Sequence, residues 1–246
     1  MQVSQDVLQV LSAADISGNA LKLTGALDRN LYAKTNKVLE AAGGKWNTKA
    51  KAHIFAGDAQ DRIEQVILTG SIEILKDDFE YFPTPPAVVS FLMELADVKI
   101  GMLCLEPSAG RAAIADAVKE NGGEVRTVEL NAANAEYLRS SGYTVTQADF
   151  LTVEPVQEYD RVVMNPPFSK QQDIKHVLHA LKFLKPGGLL VAVMASSVSF
   201  RENKLTTDFR SLVAANGGSI DSLPEGSFKA SGTMVNAVVV KIPKKS

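Results

Sequence analysis

From residue 102 onward, short apolar runs alternate with segments in which apolar residues recur at helical spacing. The apolar runs have the length and composition of buried parallel strands; they span 102–106, 124–129, 143–147, 161–164 and 189–194. Helical spacing begins at Arg111 and returns over 173–184, where the Lys-Pro-Gly-Gly sequence at 185–188 is expected to end it. Strands that alternate with helices join through right-handed crossovers. We therefore predict an α/β fold built on a mostly parallel sheet.

The pattern over residues 1–78 predicts a separate, small α+β unit. Helical spacing covers 31–42, and a second helix over 58–68 begins with Asp58 as its N-cap. Between these helices, residues 45–55 are extended and basic. Three prolines within 83–86 then interrupt any continuous structure, so the second domain is predicted to span 79–246.

Directly after the run over 161–164, the chain reads Asn165-Pro166-Pro167-Phe168. The two prolines fix the backbone, so that a carbonyl without a competing local donor faces a pocket beside the Asn165 carboxamide. Two acceptors of this kind can bind both protons of one amino group, which favours a pyramidal, more nucleophilic nitrogen. Phe168 offers a flat face for stacking a base. The pattern indicates methylation of an amino group, and its structural alternative is a rigid strand-to-helix turn with an exposed Phe168.

Three earlier strand ends carry the residue types of a nucleoside site. The run over 102–106 leads into the small residues of 107–110 and then a helix, a turn that lets a ligand approach the backbone and offers free amides to a carboxylate. Glu129 ends the next strand about 20 positions on, where a ribose ligand commonly stands. Asp149 and Phe150 follow the third strand and could bond and sandwich an adenine.

Taken together, these motifs resemble a class I S-adenosylmethionine-dependent methyltransferase of the DNA adenine-N6 kind, in one consistent order from Phe82 to Lys241. The resemblance implies a Rossmann-like class I sheet with an antiparallel C-terminal strand, and S-adenosylmethionine as cofactor. It makes Asn165, Pro166, Pro167 and Phe168 the catalytic tetrapeptide. The cofactor-binding residues that it implies are Phe82, Thr84, Pro85, Glu106, Pro107, Ser108, Ala109, Gly110, Glu129, Asp149, Phe150 and Asn165.

The same resemblance assigns Phe228 to the place where an aromatic residue flanks a flipped base, beside Phe168. One position departs from the family pattern: Ala112 stands where a second glycine is usual. A methyl group is tolerable there if the backbone stays in the right-handed region. The Gly-Gly-Lys-Trp sequence at 43–46 is similar to modules that precede methyltransferase domains in phage or mobile-element proteins, a likeness that implies no activity.

The net charge of −2 does not indicate nucleic-acid binding, but the charge is unevenly distributed. Residues 21–55 carry seven basic residues against two acidic ones. Phosphate contact leaves such a footprint, and so does a solvated helix face. We assign substrate contact to Lys45, Lys49 and Lys51, and expect DNA as the partner. Trp46, the only tryptophan, is expected to anchor the small core of this unit rather than to stack on a base.

Other classes of site have little support in the sequence. His176 and His179 stand three apart on a predicted helix, yet nothing completes a metal-ligand set, so we expect no metal and place both histidines at the solvent or in capping roles. The one cysteine, Cys104, lies within a core strand, which excludes a disulfide framework. No membrane span or secretory signal is visible, and a cytoplasmic location is expected. The oligomeric state stays open.

The function that these features favour is transfer of a methyl group to the N6 amine of adenine in DNA. No large insertion follows Phe168, so specificity is expected to be short or relaxed. Adenine in RNA and the glutamine amide of a protein also present an amino group that this tetrapeptide could hold. A protein that binds cofactor or nucleic acid on the same fold without turnover is the remaining alternative, and its support is Ala112.

Overall fold

The computed structural model describes residues 2–72, 83–231 and 235–245. The helices in these ranges are α1 (Gln5–Ser12), α2 (Arg29–Ala41), α3 (Ala59–Thr69), α4 (Pro86–Ala96), α5 (Ala113–Glu120), α6 (Ala132–Ser140), α7 (Gln172–Ala180) and α8 (Lys204–Ala215). The strands are β1 (Asp15–Ser17), β2 (Ala20–Lys22), β3 (Lys45–Asn47), β4 (Ala52–Ile54), β5 (Leu103–Glu106), β6 (Glu124–Glu129), β7 (Thr144–Gln147), β8 (Tyr159–Met164), β9 (Leu184–Ala195), β10 (Ser219–Ser222) and β11 (Ala237–Pro243).

The large sheet has seven strands in the order β10-β11-β9-β8-β5-β6-β7. Strands β5 to β9 run parallel, whereas β11 pairs antiparallel with β9, and β10 antiparallel with β11. This arrangement confirms the predicted class I methyltransferase-like α/β sheet, with two antiparallel strands at its C-terminal side rather than the one expected. The chain proceeds outward from β5 to β7 and then returns to place β8 on the other side of β5. Ligands of open α/β sheets bind at such a reversal.

Two features of the large sheet differ from the predicted pattern. Strand β9 begins at Leu184, opposite Tyr159, and not after Gly188. The pairing then shifts register before Arg161 meets Leu189, because residues 185–188 form an irregularity within the strand instead of a helix end. The pattern also did not predict α8 or the short, mostly polar β10.

The N-terminal unit is built on an antiparallel sheet of four strands in the order β1-β2-β4-β3, packed against α1, α2 and α3. As predicted, Asp58 caps α3: its side chain accepts a hydrogen bond from the Asp61 amide at 3.0 Å. The boundary proposed at 78/79 lies outside the described residues.

The expectation for Trp46 was wrong. Its side chain is 49% exposed on β3, at the edge of the small sheet. Leu21, Leu39 and Ile63 fill the core of the unit, and the Phe55 ring closes it against the backbone at Gly44. These residues complete the core without Trp46, and its indole therefore stays at the surface.

A buried ion pair attaches the N-terminal unit to the large sheet. Arg201 donates to Glu64 at 2.9 Å, and both side chains are almost fully buried. Phe200 packs into the N-terminal core, and the Asn236 amide donates to the Leu68 carbonyl at 3.1 Å. Helix α3 is therefore held against the segments that follow β9 and precede β11.

Candidate active site

A cavity of about 490 Å³ opens at the carboxyl ends of the parallel strands, at the reversal between β5 and β8. Glu106, Glu129 and Asn165 reach it from the ends of β5 and β6 and from just beyond β8, and Asp149 reaches it from the turn after β7. Because parallel strands end at one edge of a sheet, side chains far apart in the sequence meet here.

The turn after β5 lies along one wall of this cavity. All five residues predicted for it, Glu106, Pro107, Ser108, Ala109 and Gly110, line the cavity. Glu129 holds the turn in place, since its Oε2 accepts a hydrogen bond from the Gly110 amide at 2.7 Å and its Oε1 accepts one from the Asn131 amide at 2.7 Å. Each carboxylate oxygen keeps a further lone pair with which it can accept a ligand hydroxyl.

The backbone of Ala112 does not stay in the right-handed region, in which an alanine would be tolerated. It adopts φ 70° and ψ 12°, the left-handed region that glycine favours, directly before α5. The conformation costs an alanine roughly 1–2 kcal/mol more than a glycine. The departure from the family pattern is therefore a strained turn that the surrounding structure maintains, with the alanine itself almost completely buried.

Glu106 is the most deeply buried carboxylate of the cavity. Burial raises its pKa well above the ordinary value, and the nearby Asp116 and Glu129 add to the rise, although a hydrogen bond from the Ala115 amide opposes it. Among the described residues, its Oε2 has no hydrogen-bond partner. A buried carboxyl oxygen that lacks a partner and lines a cavity suits a ligand that brings its own donors or positive charge.

The third strand end places Asp149 and Phe150, the two residues predicted to contact an adenine, on the cavity. The Asp149 side chain accepts a hydrogen bond from the Leu151 amide at 3.0 Å, which orders a single 3-10 turn over Phe150–Thr152. The Phe150 ring packs against His176 and His179, with ring centroids 5.7 and 4.9 Å apart. The aromatic wall is thus supported from behind by α7.

The tetrapeptide lines the cavity over its whole length, from Asn165 to Phe168. The Asn165 amide nitrogen donates to the Thr84 hydroxyl at 3.1 Å, which fixes the orientation of its carboxamide. Phe168 is 5% exposed and packs into the main core, the hydrophobic cluster that includes Leu92 of α4, Ile114 of α5 and Val193 of β9. The alternative of a turn with an exposed phenylalanine therefore does not apply. Its remaining exposed surface faces a cavity rather than bulk solvent.

Beyond the tetrapeptide the backbone is strained at two successive residues. Lys170 and Gln171 have φ 53° and 57°, which cost of order 1–3 kcal/mol each for residues other than glycine. Lys170 lines the cavity and forms an ion pair with Asp61 of α3 at 3.1 Å. The rim of the cavity therefore contacts the N-terminal unit.

Helix α7 contributes two cavity residues that the sequence analysis missed. Gln172 and His176 stand one turn apart and both line the cavity. Their Oε1 and Nδ1 atoms are buried without hydrogen-bond partners among the described residues. The expectation that His176 would be at the solvent or in a capping role was wrong, because it is 8% exposed. Burial lowers the pKa of His176 to about 4, so the imidazole is neutral near pH 7.

Several other predicted residues lie away from the cavity or outside the described chain. Phe82 falls outside the described residues. Pro85 is buried at the start of α4 and does not line the cavity. Phe228 is 1% exposed within the main core, also off the cavity. Lys45, Lys49 and Lys51 are exposed on the N-terminal sheet and its turn.

Within the part of the chain that the structure describes, no cluster of three His, Cys, Asp or Glu side chains is arranged to hold a metal ion. No helix in the described ranges is long and apolar enough to cross a membrane. Cys104 is buried in β5, and burial raises the pKa of its thiol to about 12, which rules out a thiolate nucleophile at this position near neutral pH.

Comparison with known proteins agrees with this geometry. The sequence matches the family model of the methyltransferase small domain over residues 97–218, about half of the chain. No curated protein matches the chain.

Solved structures share the fold at low sequence identity. The methyltransferase subunit of a type I restriction-modification system from Streptococcus thermophilus superposes with a TM-score of 0.61 at 21% identity, covering 78% of this chain and 50% of that one. A 23S rRNA methyltransferase gives 0.52 at 17% identity, with 68% and 70% covered. A dimethyladenosine transferase from Plasmodium falciparum gives 0.51 at 17%, with 67% and 64% covered. The chain thus spans half the length of the restriction-modification subunit.

Proposed function

We propose that this chain, which matches the family model of the methyltransferase small domain over residues 97–218, is an S-adenosylmethionine-dependent enzyme that methylates the N6 amine of adenine in DNA. The observation that supports the proposal most directly is the position of the Asn165 to Phe168 loop. It lines the same cavity as the turn after β5 and the carboxylate of Glu129, so an amino group held by the loop would lie beside the cofactor.

The cofactor is S-adenosylmethionine, and the cavity residues fit it. We assign Glu129 to the ribose hydroxyls, and Asp149 and Phe150 to the adenine, because all three residues line the cavity. The buried Glu106 carboxyl, which has no partner among the described residues, suits the cationic end of the molecule. When bound, S-adenosylmethionine supplies an electrophilic methyl group on its sulfonium.

The residues of the tetrapeptide would orient the target and need not carry a proton themselves. The Asn165 carboxamide oxygen and the Pro166 carbonyl would accept the two protons of the exocyclic amine, since Thr84 already binds the Asn165 amide nitrogen. Held in this way, the amine nitrogen would face the electrophilic methyl carbon that S-adenosylmethionine would supply. The proton released after transfer would pass to water, so orientation and charge complementarity would provide most of the rate.

A base inside a duplex cannot reach the bottom of such a cavity, so the target adenine must leave the stack. Phe168 would stack on the extruded base. Phe228, which the family pattern also assigns to this role, would have to leave the main core to reach it. We propose short or relaxed specificity, because the described residues after Phe168 form the strands and helices of the large sheet and no separate domain.

Contact with the DNA backbone is proposed for Lys45, Lys49 and Lys51. All three side chains are exposed, and none forms an ion pair within the described ranges. Unpaired lysines on a small unit that is fixed to the cavity rim are suited to holding phosphates near the site.

RNA adenine is the second candidate substrate, because a 23S rRNA methyltransferase shares the fold. A protein glutamine amide has less support, since enzymes of that kind usually carry an Asp-Leu-Gly-rich turn where this chain has Glu106-Pro107-Ser108. A protein that binds cofactor or nucleic acid without turnover is the last alternative, and the strained Ala112 is the feature that supports it.

The test is incubation with methyl-labelled cofactor and DNA, RNA and total protein in parallel, followed by digestion and chromatography of the nucleosides. We expect label in N6-methyldeoxyadenosine, and loss of that label in Asn165→Ala. Label confined to RNA or to protein would overturn the proposed substrate. Tight cofactor binding in calorimetry with no transfer to any polymer would overturn the proposed activity.

A further inference from the structure

Trp46 is the largest side chain of the N-terminal unit and lies at its surface. All three residues of β3, Lys45, Trp46 and Asn47, are exposed, and the strand forms an edge of the small sheet. Exposing an indole at 49% forgoes a large amount of apolar burial. Tryptophan joins a large apolar ring to a polar N–H and is therefore enriched at interfaces, so an exposed indole held in one position is suited to contact with another molecule.

The indole is held in a defined position. Trp46 is paired in register with His53 on β4, and the two rings meet edge to face with centroids 5.2 Å apart. The His53 ring is in turn buried and lies 2.8 Å from the Asn36 side-chain oxygen. Because the Trp46 ring is held by its contact with His53, it loses little conformational freedom when it binds a partner. Its exposed face is therefore preorganised for a flat molecule.

Three lysines flank the indole along the chain. Lys45 precedes Trp46 on the edge strand, with its side chain on the opposite face of the sheet, and Lys49 and Lys51 stand on the turn that follows. The Asn47 side chain accepts hydrogen bonds from the Lys49 and Ala50 amides at 3.0 Å each, which fixes the conformation of this turn. Glu40, whose carboxylate accepts a hydrogen bond from Asn36, is the acidic residue close to His53. The edge strand and the turn after it thus carry three lysines and no carboxylate.

We propose that β3 and the turn after it bind an unpaired segment of DNA, with a base stacked on Trp46 and the backbone held by Lys45, Lys49 and Lys51. The inference deepens the proposed function and rests on it for the choice of DNA. A stacking ring and nearby cations are the two elements of single-strand binding without sequence preference. Bases within a duplex already stack on both faces, so a lone surface indole selects an unpaired base.

The chain provides its own reporter, because Trp46 is its only tryptophan. The full-length protein is titrated with single-stranded oligothymidine, with the same strand in a duplex, and with oligouridine, while tryptophan emission is excited selectively. We expect the DNA strand to quench the emission and the duplex to leave it nearly unchanged. Quenching by the duplex at equal concentration, or stronger binding of the RNA strand, would overturn the inference.

Affinity for labelled single strands is then measured by anisotropy. Trp46→Ala should weaken binding roughly 5- to 150-fold, the loss of one stacked base, and Trp46→Phe should keep most of the affinity. Tyr137→Ala, which removes a similarly exposed ring from α6, is the matched control and should change nothing. Equal affinity in the parent and Trp46→Ala, with both folded by circular dichroism, would refute the stacking role.

The cations are tested separately by replacing Lys45, Lys49 and Lys51 with alanine. Binding should weaken across all sequences, and the slope of log affinity against log salt should fall by about 2, since fewer counterions are released. Cofactor affinity in calorimetry should survive. An unchanged salt slope would mean that these lysines are a solvated face.

Two outcomes separate the single-strand surface from the methyl transfer. Transfer of methyl groups to DNA with no quenching of Trp46 would refute the single-strand surface alone. Quenching by single-stranded DNA without transfer to any polymer would refute the activity and leave the surface established.

Discussion

The Glu129 carboxylate accepts a hydrogen bond from the Gly110 amide at 2.7 Å, so the end of β6 directly holds the turn that follows β5. One side chain thus serves both the shape of the cavity and the proposed capture of the ribose.

Glu129→Ala should weaken the binding of S-adenosylmethionine by roughly 1–3 kcal/mol. The ribose hydroxyls would be buried without partners, and the turn would lose its hydrogen bond from the Gly110 amide. Asp149→Ala should behave similarly. Isothermal calorimetry measures the effect, and Glu136→Ala, on the exposed face of α6, is the control. Unchanged affinity in Glu129→Ala would remove this residue from the site.

Asn165→Ala should abolish or severely reduce turnover while cofactor affinity changes little, since its carboxamide is proposed to contact the target amine. Thr84→Val removes the hydroxyl that accepts a hydrogen bond from Asn165 and should lower kcat by roughly 2- to 10-fold, the effect of one hydrogen bond of about 1 kcal/mol. Single-turnover methylation measures both. Near-normal turnover in Asn165→Ala would exclude the proposed mechanism.

Ala112→Gly should stabilise the protein by about 0.5–1 kcal/mol. Relief of the left-handed alanine outweighs the greater freedom of glycine in the unfolded chain. Ala117→Gly, within α5, should instead destabilise by about 1 kcal/mol. Urea denaturation compares the two variants, and destabilisation of the same size in both would show that the turn at residue 112 is not strained.

The buried His176 should make the free energy of unfolding depend on pH. Burial lowers its folded-state pKa to about 4, whereas the unfolded chain takes up a proton near pH 6.5, so stability falls as the pH drops from 6.5 towards 4. Asp173 acts in the opposite direction, since burial raises its pKa to about 7. The free energy of unfolding is therefore measured by urea denaturation at pH 7 and pH 5, in the parent and in His176→Gln. A loss of stability between these pH values that is equally large in the variant would contradict the assignment.

The strand ends could be predicted from the sequence because their positions follow from local patterns. Apolar runs mark buried parallel strands, and the polar residues that end them, Glu129 and Asn165 among them, must then meet at one edge. The exposure of Trp46 and the burial of His176 could not be predicted. Both depend on which neighbours fill a core or close a wall, and hydrophobic spacing along one chain does not contain that information.

The αL conformation of Ala112 escaped prediction for a different reason. Side-chain type limits backbone angles but does not determine them, and the buried setting of the turn imposes a conformation that an isolated alanine would avoid. Helix spacing did contain a usable signal for Gln172 and His176, since residues four apart on the helix after the tetrapeptide share one face.

The N-terminal unit is fixed to the large sheet by more than the buried pair of Arg201 and Glu64. Moving it away would also expose Phe200, which packs into its core, and would break the hydrogen bond from the Asn236 amide to the Leu68 carbonyl. A DNA strand bound at Trp46 would therefore span a constant distance between the indole and the cavity. The methylated adenine would lie a set number of nucleotides from the gripped base, and spacing, rather than sequence, would determine which adenine is modified.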